Sequence, residues 1–146
     1  MTNKPFSMSC LLYVQLYKNK IYVRNLTTGQ MNQVDGPFSH PRMVVSDFYT
    51  AAKLMQQAIA ATMPKSLVPR GLEMVVQVME LAEGGLAHIE ERTLRELCLC
   101  AGNNALDSLY WWRGFIIKGS VSVYIWQGNP LTDEELLVGA LHSAQE

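Results

Sequence analysis

The chain has little charge and no long apolar run. Its 146 residues include 13 acidic and 12 basic side chains, for a net charge of −1. We therefore expect no nucleic-acid partner, since such a partner calls for a basic face. No window approaches the roughly 18 apolar residues of a membrane span, and the first ten residues lack the apolar core of a signal peptide. These absences favour a cytoplasmic protein, in which peripheral membrane contact has little support.

Cysteine is also scarce and offers no disulfide framework. The chain has three cysteines, Cys10, Cys98 and Cys100, an odd number that fits a reducing compartment. Cys98 and Cys100 are two apart on a predicted helix, where side chains diverge by roughly 200°, so we interpret them as small core residues. The three histidines are isolated, and neither a Gly-x-Ser-x-Gly elbow nor a Cys with a nearby His is present. We expect no metal, no cofactor and no catalytic residue.

What is present indicates one α/β domain over residues 1–146, because 49% of the residues are hydrophobic and the length suits one core. The Val-rich run Met74–Met79 predicts a strand buried on both faces. The apolar residues of 89–101 recur with helical period, and Gly102 is predicted to cap that helix. A buried strand followed by an amphipathic helix is the repeating unit of an α/β sheet.

The first third of the chain has the pattern of an antiparallel meander. Leu11–Leu16, Ile21–Val23 and Gln30–Val34 are β-type runs separated by polar turn segments. A helix should then begin at Ser46 or Asp47, either of which can be the N-cap, and end at Met63-Pro64.

The most unusual local composition is at residues 109–118, Leu-Tyr-Trp-Trp-Arg-Gly-Phe-Ile-Ile-Lys. One interpretation is an aromatic, cation-flanked loop that docks a partner or a membrane surface. The other, favoured slightly, is a further strand and its turn, with a Trp in the core. The partner-binding candidates are Tyr110, Trp111, Trp112, Arg113, Phe115, Ile116 and Lys118.

The end of the sequence predicts a strand and a capped helix. Ser120–Trp126 alternates small polar with large apolar residues and suits a strand. Thr132 and Glu135 have the spacing of a capping box, which opens a helix. The apolar stripe predicted for that helix is Leu136, Leu137, Ala140, Leu141 and Ala144. The predicted order is therefore β-β-β-α-β-α-(β)-β-α, with the parenthesised strand in the aromatic segment.

These residues resemble bacterial actin-like proteins of the MreB, rod-shape-determining type. The first long helix of that family opens Asp-Phe-Phe and continues to Lys-Met-Leu-Gln; here 47–49 read Asp-Phe-Tyr and 53–56 read Lys-Leu-Met-Gln. A later family helix of the type Val-Glu-Arg-Arg-Ala-Ile-Arg-Glu ends in Ala-Gly, and residues 89–96 read Ile-Glu-Glu-Arg-Thr-Leu-Arg-Glu before Ala101-Gly102. The resemblance covers about residues 11–102 and implies an RNase H-like, actin-like first subdomain with a mixed five-stranded sheet and packed helices.

The chain departs from that family at its nucleotide motifs. The family's phosphate-binding hairpin reads Asp-Leu-Gly-Thr, whereas this chain has Gln15-Leu16-Tyr17-Lys18. A neutral Gln lacks the charge that holds hydrated magnesium, and Tyr17 puts a ring where phosphate would lie. The family glutamate that positions the attacking water meets at best Gln127. The resemblance therefore implies a degenerate phosphate hairpin at Gln15, Tyr17 and Lys18, and a pseudo-ATPase.

Three functions remain open from the sequence. The first is a non-catalytic interaction or scaffold module linked to bacterial cell shape, the cytoskeleton or an envelope machine, with an actin-like filament or a second copy as its protein partner. The second is a nucleotide-binding or ATPase subunit completed in trans by a partner. The third is an unrelated α/β binding protein. An acidic residue near Gln15 in the folded chain would favour the second.

Overall fold

The computed structural model describes residues 9–39, 44–64, 71–80, 84–113 and 120–145. Strands and helices alternate in the second half of the chain after an initial run of strands. In order they are β1 (Ser9–Tyr17), β2 (Lys20–Asn25), β3 (Met31–Asp35), α1 (Phe48–Ala61), β4 (Gly71–Val78), α2 (His88–Arg113), β5 (Ser120–Trp126) and α3 (Asp133–Gln145).

The five strands form one mixed sheet in the order β3-β2-β1-β4-β5. β1, β2 and β3 pair antiparallel, as the meander pattern predicted. β4 lies parallel to β1 on one side and to β5 on the other. The predicted mixed α/β class, with a five-stranded sheet and helices on it, is therefore confirmed. In the described part of the chain no helix is both long and apolar enough to cross a membrane.

One face of the sheet carries the main core, because α1 and α2 both pack on it. Every second residue of β1 points to this side, and Leu12, Val14 and Leu16 are fully buried there. β4 contributes Leu72, Met74 and Val76 to this face, so the Val-rich run is an interior strand between β1 and β5. The predicted burial on both faces is incomplete, because Glu73 and Val75 on the other face are only half-buried. Burial of such side chains contributes about 1.5–3 kcal/mol each before the opposing conformational entropy.

The opposite face is covered less completely. A smaller apolar cluster of Leu11, Tyr13 and Leu136 joins it to α3. The side chains of β5 that point to this side, at Ser122, Tyr124 and Trp126, are exposed. The protein thus has one closed face and one partly open face.

The helix starts follow their capping signals. Asp47, one of the two N-caps left open by the sequence, accepts a hydrogen bond from Thr50 N at 3.1 Å. At α3, Thr132 N donates to Glu135 Oε1 at 3.1 Å and Glu135 N donates to Thr132 Oγ1 at 3.3 Å. This is the predicted capping box, in which two orphan donors are satisfied reciprocally.

The predicted end of α2 is wrong. Gly102 does not cap the helix, which continues through Asn103 to Arg113. A Cβ at Gly102 would lie 3.1 Å from Met74 Sδ and 3.1 Å from Val121 Cγ1. Glycine is therefore present because α2 passes close over β4 and β5, and not because the chain turns there. Ala105 and Leu106 are buried and extend the apolar stripe beyond it.

The longer α2 also includes the beginning of the aromatic segment 109–118. Residues 110–113 form the last turn of α2, so neither the predicted loop nor the predicted extra strand begins before residue 114. The candidates in that turn are Tyr110, Trp111, Trp112 and Arg113. Phe115, Ile116 and Lys118 lie outside the described residues.

Two residues of the predicted apolar stripes face water instead. Ile89 is 77% exposed at the start of α2, although Leu94, Leu97 and Cys98 of the same stripe are buried. Leu137 is 49% exposed on α3, whereas Leu136 is buried. Leu137 is one residue from Leu136, or about 100° around the helix, so it turns away from the sheet, and helical periodicity alone cannot tell which edge of an apolar stripe is covered. The side chains of 140–145 lie outside the described part.

Candidate functional site

The carboxyl ends of β1, β4 and β5 meet at one edge of the sheet, the usual place for a ligand in an open α/β sheet. The hairpin that was predicted to be a degenerate phosphate site, at Gln15, Tyr17 and Lys18, lies there. Gln15 is on β1, and its Nε2 donates to Met79 Sδ at 3.6 Å. Tyr17 ends the strand with Lys20 Nζ 4.5 Å from the centre of its ring, so the ring is held by a cation-π contact.

The hairpin is also near a carboxylate. Lys18 N donates to Glu80 Oε1 at 3.1 Å, which brings Glu80 from the end of β4 to the turn after β1. Sequence comparison with the family's hairpin did not find this residue, because it comes from a different strand. Glu80 follows Met79, the residue that Gln15 contacts, so folding does bring an acidic residue to the hairpin, although its observed bond is with the backbone of Lys18.

Gln127 lies at the same edge, at the end of β5. Its Oε1 accepts from Leu86 N at 3.1 Å, and its Nε2 donates to Glu91 Oε1 at 3.0 Å. Both polar ends of this amide are therefore used to join the end of β5 to the beginning of α2.

A buried polar network, which sequence analysis missed, joins β1, β4 and the loop before α3. Tyr13 OH donates to Gln77 Oε1, and Gln77 Nε2 donates to Gly128 O at 2.7 Å. Leu131 N in turn donates to Tyr13 OH at 3.2 Å. Gln77 lies in the Val-rich run that was predicted to be an apolar strand, where one polar residue gives no indication of a network. The network fixes the chain segment that leads into α3.

The start of α3 is held by an ion pair as well. Arg24 Nη2 on β2 lies 2.5 Å from Asp133 Oδ1. Together with the capping box and the packing of Leu136 on Leu11 and Tyr13, this contact anchors the first turn of α3 above β1.

Beyond that anchor a groove opens between α3 and the sheet. We call it the α3 groove, and its volume is about 350 Å³. The sheet side consists of Leu11, Glu73, Val75, Tyr124, Ile125 and Trp126. Leu131, Glu135, Leu136 and Gly139 line the other side. A Cβ at Gly139 would have nothing within 4 Å, so the helix stands away from the sheet at that point.

The α3 groove is apolar and aromatic with acidic groups. Tyr124 is 43% exposed and Trp126 is 39% exposed, and Trp126 Nε1 donates to Asn129 O at 2.8 Å, which fixes the indole. Among the residues that the structure describes, the charged lining residues are Glu73 and Glu135, and none is Lys, Arg or His. A volume above 300 Å³ with apolar walls and a few polar groups is typical of ligand and peptide sites.

Two of the three cysteines, Cys10 and Cys98, are buried thiols. Burial raises the pKa of Cys98 to about 12, and burial also raises the pKa of Cys10. Within the described residues, no three His, Cys, Asp or Glu side chains are grouped as metal ligands.

Fold and site together define a mixed α/β protein with an acidic, aromatic groove on the open face of its sheet. No protein-family profile matches the chain. It is 34% identical over 92 residues to YjaA of Escherichia coli strain K12, described as an uncharacterized protein, and the match covers 60% of this chain and 72% of that relative. The chain belongs to the same family as YjaA.

Proposed function

We propose that this protein is a non-catalytic interaction module built on an actin-like subdomain. The observation that carries the proposal is the use of Gln127. In the position where the resemblance expects a glutamate that activates water, both polar ends of a neutral amide are bonded to Leu86 and Glu91. The polar groups of Gln127 are thus occupied in holding the end of β5 to the start of α2, and they are not free for a nucleotide.

The element order supports the actin-like assignment. Three antiparallel strands, a helix, a parallel strand, a helix, a parallel strand and a helix is the order that the resemblance implies for the first subdomain. The hairpin supports the loss of nucleotide binding, because the Tyr17 ring is in contact with Lys20 where phosphate would approach.

The test is thermal unfolding with and without Mg-ATP or Mg-ADP. A nucleotide present at about 100 times its Kd would stabilise the protein by about 2.7 kcal/mol. For a chain of this size that is a rise in Tm of roughly 5–10 °C. We expect no shift. A clear magnesium-dependent shift would refute the non-catalytic proposal.

Glu80 favours one second candidate, a nucleotide site completed in trans, because it brings a carboxylate to the hairpin turn. In that case a purified actin-like partner should gain ATP hydrolysis when this protein is added, and Glu80→Gln should remove the gain. If the rates with wild type and variant are equal, Glu80 acts only on the turn.

An actin-like filament is the proposed partner of the module, with a bacterial shape or envelope function. Co-sedimentation with polymerised MreB-type filaments tests this, and a protein that stays in the supernatant at every filament concentration contradicts it. Trp111→Ala and Trp112→Ala, in the last turn of α2, test the aromatic-segment hypothesis in the same assay. Unchanged co-sedimentation of the folded variants would remove that segment from the interface.

A further inference from the structure

The lining of the α3 groove includes a carboxylate, Glu73, that has no cation partner among the described residues. Glu73 is half-buried on β4, between Leu11 on β1 and Ser122 on β5 in the strand register. In the described residues the ion pairs are Arg24–Asp133 and Arg92–Glu96, and no hydrogen bond is formed by the Glu73 carboxylate. Partial removal of a carboxylate from water is unfavourable unless a partner group compensates it.

Among the described residues, the approach to Glu73 passes over the outer strand β5. Ser122, its neighbour on β5, is small and exposed, and β5 is an outer strand of the sheet. Neighbouring strands are about 5 Å apart, so a Lys or Arg side chain arriving at this edge can reach over Ser122 to Glu73. Tyr124 and Trp126 follow Ser122 on the same face of β5 and line one side of this route with aromatic rings, which attract cations and pack on apolar side chains.

The occupant does not add a strand to the sheet at β5. Arg95 Nη1 on α2 donates to Val123 O at 2.9 Å, so a backbone acceptor of β5 is already occupied. A second copy fits no better, because a symmetric contact through this groove would bring Glu73 and Glu135 of both copies together, and like charges repel.

We propose that the α3 groove binds a partner protein through a segment that presents a Lys or Arg side chain flanked by apolar residues. The cation pairs with Glu73, and the apolar neighbours pack on Tyr124 and Trp126 beneath Gly139. This inference rests on the proposed interaction function and names the chemistry of its partner.

The probe is the peptide acetyl-Leu-Thr-Lys-Thr-Leu-amide, which reads the same in both directions, compared with versions that carry Glu or norleucine in place of Lys. Titration of the ¹⁵N-labelled protein should shift the indole of Trp126 and the amides of Glu73 and Gly139. We expect the Lys peptide to bind at least about ten-fold more tightly than the Glu peptide.

Two pairs of variants locate the site. Glu73→Gln should abolish the preference for Lys over norleucine, whereas Glu134→Gln, an exposed change outside the groove lining, should leave it. Gly139→Leu should fill the groove and weaken the Lys peptide about ten-fold, whereas Val138→Leu on the exposed side of α3 should not. The NMR spectra of the variants report whether each one is folded.

Equal binding of the Lys and Glu peptides, or no shift at millimolar peptide, would overturn the inference. Binding of Nα-acetyl-lysine amide as tightly as the peptide would also overturn it, because it would indicate a site for small amines. A concentration-dependent dimer that Gly139→Leu dissociates would overturn it as well. These failures are separate from failure of the interaction function, which a magnesium-dependent nucleotide shift detects.

Discussion

The Tyr13–Gln77 network should stabilise the fold and the entry to α3. Gln77→Met keeps the length of the side chain and removes its amide. The change loses the bond to Gly128 O and leaves Tyr13 OH without its acceptor. A buried hydrogen bond contributes about 1 kcal/mol, and an orphaned buried partner costs about 1–3 kcal/mol. We expect the free energy of unfolding to fall by about 2–3 kcal/mol, a large part of the ~5–15 kcal/mol typical of a domain.

A double-mutant cycle isolates the shared bond. Tyr13→Phe should cost about 1–3 kcal/mol, because Leu131 N and Gln77 Oε1 both lose a partner. The double variant should cost about 1 kcal/mol less than the sum, since the Tyr13–Gln77 bond is lost only once. Urea unfolding followed by far-UV circular dichroism measures all four free energies, with the exposed Gln33→Met as the matched control. A cost below 0.5 kcal/mol for Gln77→Met, taking about 0.5 as the usual limit for surface changes, would refute the network's role.

Three further predictions concern packing, pH and reactivity. Gly139→Ala should raise the free energy of unfolding by about 0.5–1 kcal/mol through helix propensity, whereas Gly102→Ala should raise it less, because the added Cβ meets Met74 and Val121. Equal urea midpoints for the two variants would contradict this packing. Hydrogen bonds from Thr50 lower the pKa of Asp47 below its ordinary 3.8, so the stability that Asp47 contributes is complete above pH 3.8 and is lost as the pH falls through the lowered pKa. Asp47→Asn should therefore flatten the decline of the unfolding free energy below about pH 4. An unchanged slope from pH 5 to 2 would count against the cap. At a pKa of about 12, roughly one Cys98 thiol in ten thousand is ionised at pH 8. Iodoacetamide should therefore label the less buried Cys100 at least about ten-fold faster than Cys98, as followed by mass spectrometry, and equal rates would contradict the burial of Cys98.

The local elements were largely predictable, because their signals are short-range. Ser120–Trp126 was predicted with the bounds that β5 has, and the capping box of Thr132 and Glu135 was predicted from spacing alone. The meander followed from apolar runs separated by polar turns. The end of α2 was mispredicted because glycine at 102 has the same appearance in sequence whether it caps a helix or allows a close approach. Only the positions of Met74 and Val121 distinguish the two.

The candidate site was less predictable. The aromatic segment at 109–118 attracted attention through composition, yet its described part is helical and the open groove lies under α3 instead. Glu73, Gln77 and Glu80 gave no signal, because each is a single polar residue in or after an apolar strand. Folding brings Gln77 and Glu80 to partners that are distant in sequence, since Tyr13–Gln77 and Lys18–Glu80 are 64 and 62 residues apart.

By itself the sequence determined the class of the fold, since hydrophobic periodicity and caps act over a few residues and decide which segments become strands and helices. The resemblance to actin-like proteins, in which Gln15 and Tyr17 replace a phosphate-binding pair, also comes from the sequence, and it stays a prediction. The tertiary structure alone decided how much of the sheet α3 covers. That coverage depends on where Arg24, Tyr13 and Gln77 anchor the helix, and on the gap left at Gly139, which arise only when distant strands are brought side by side.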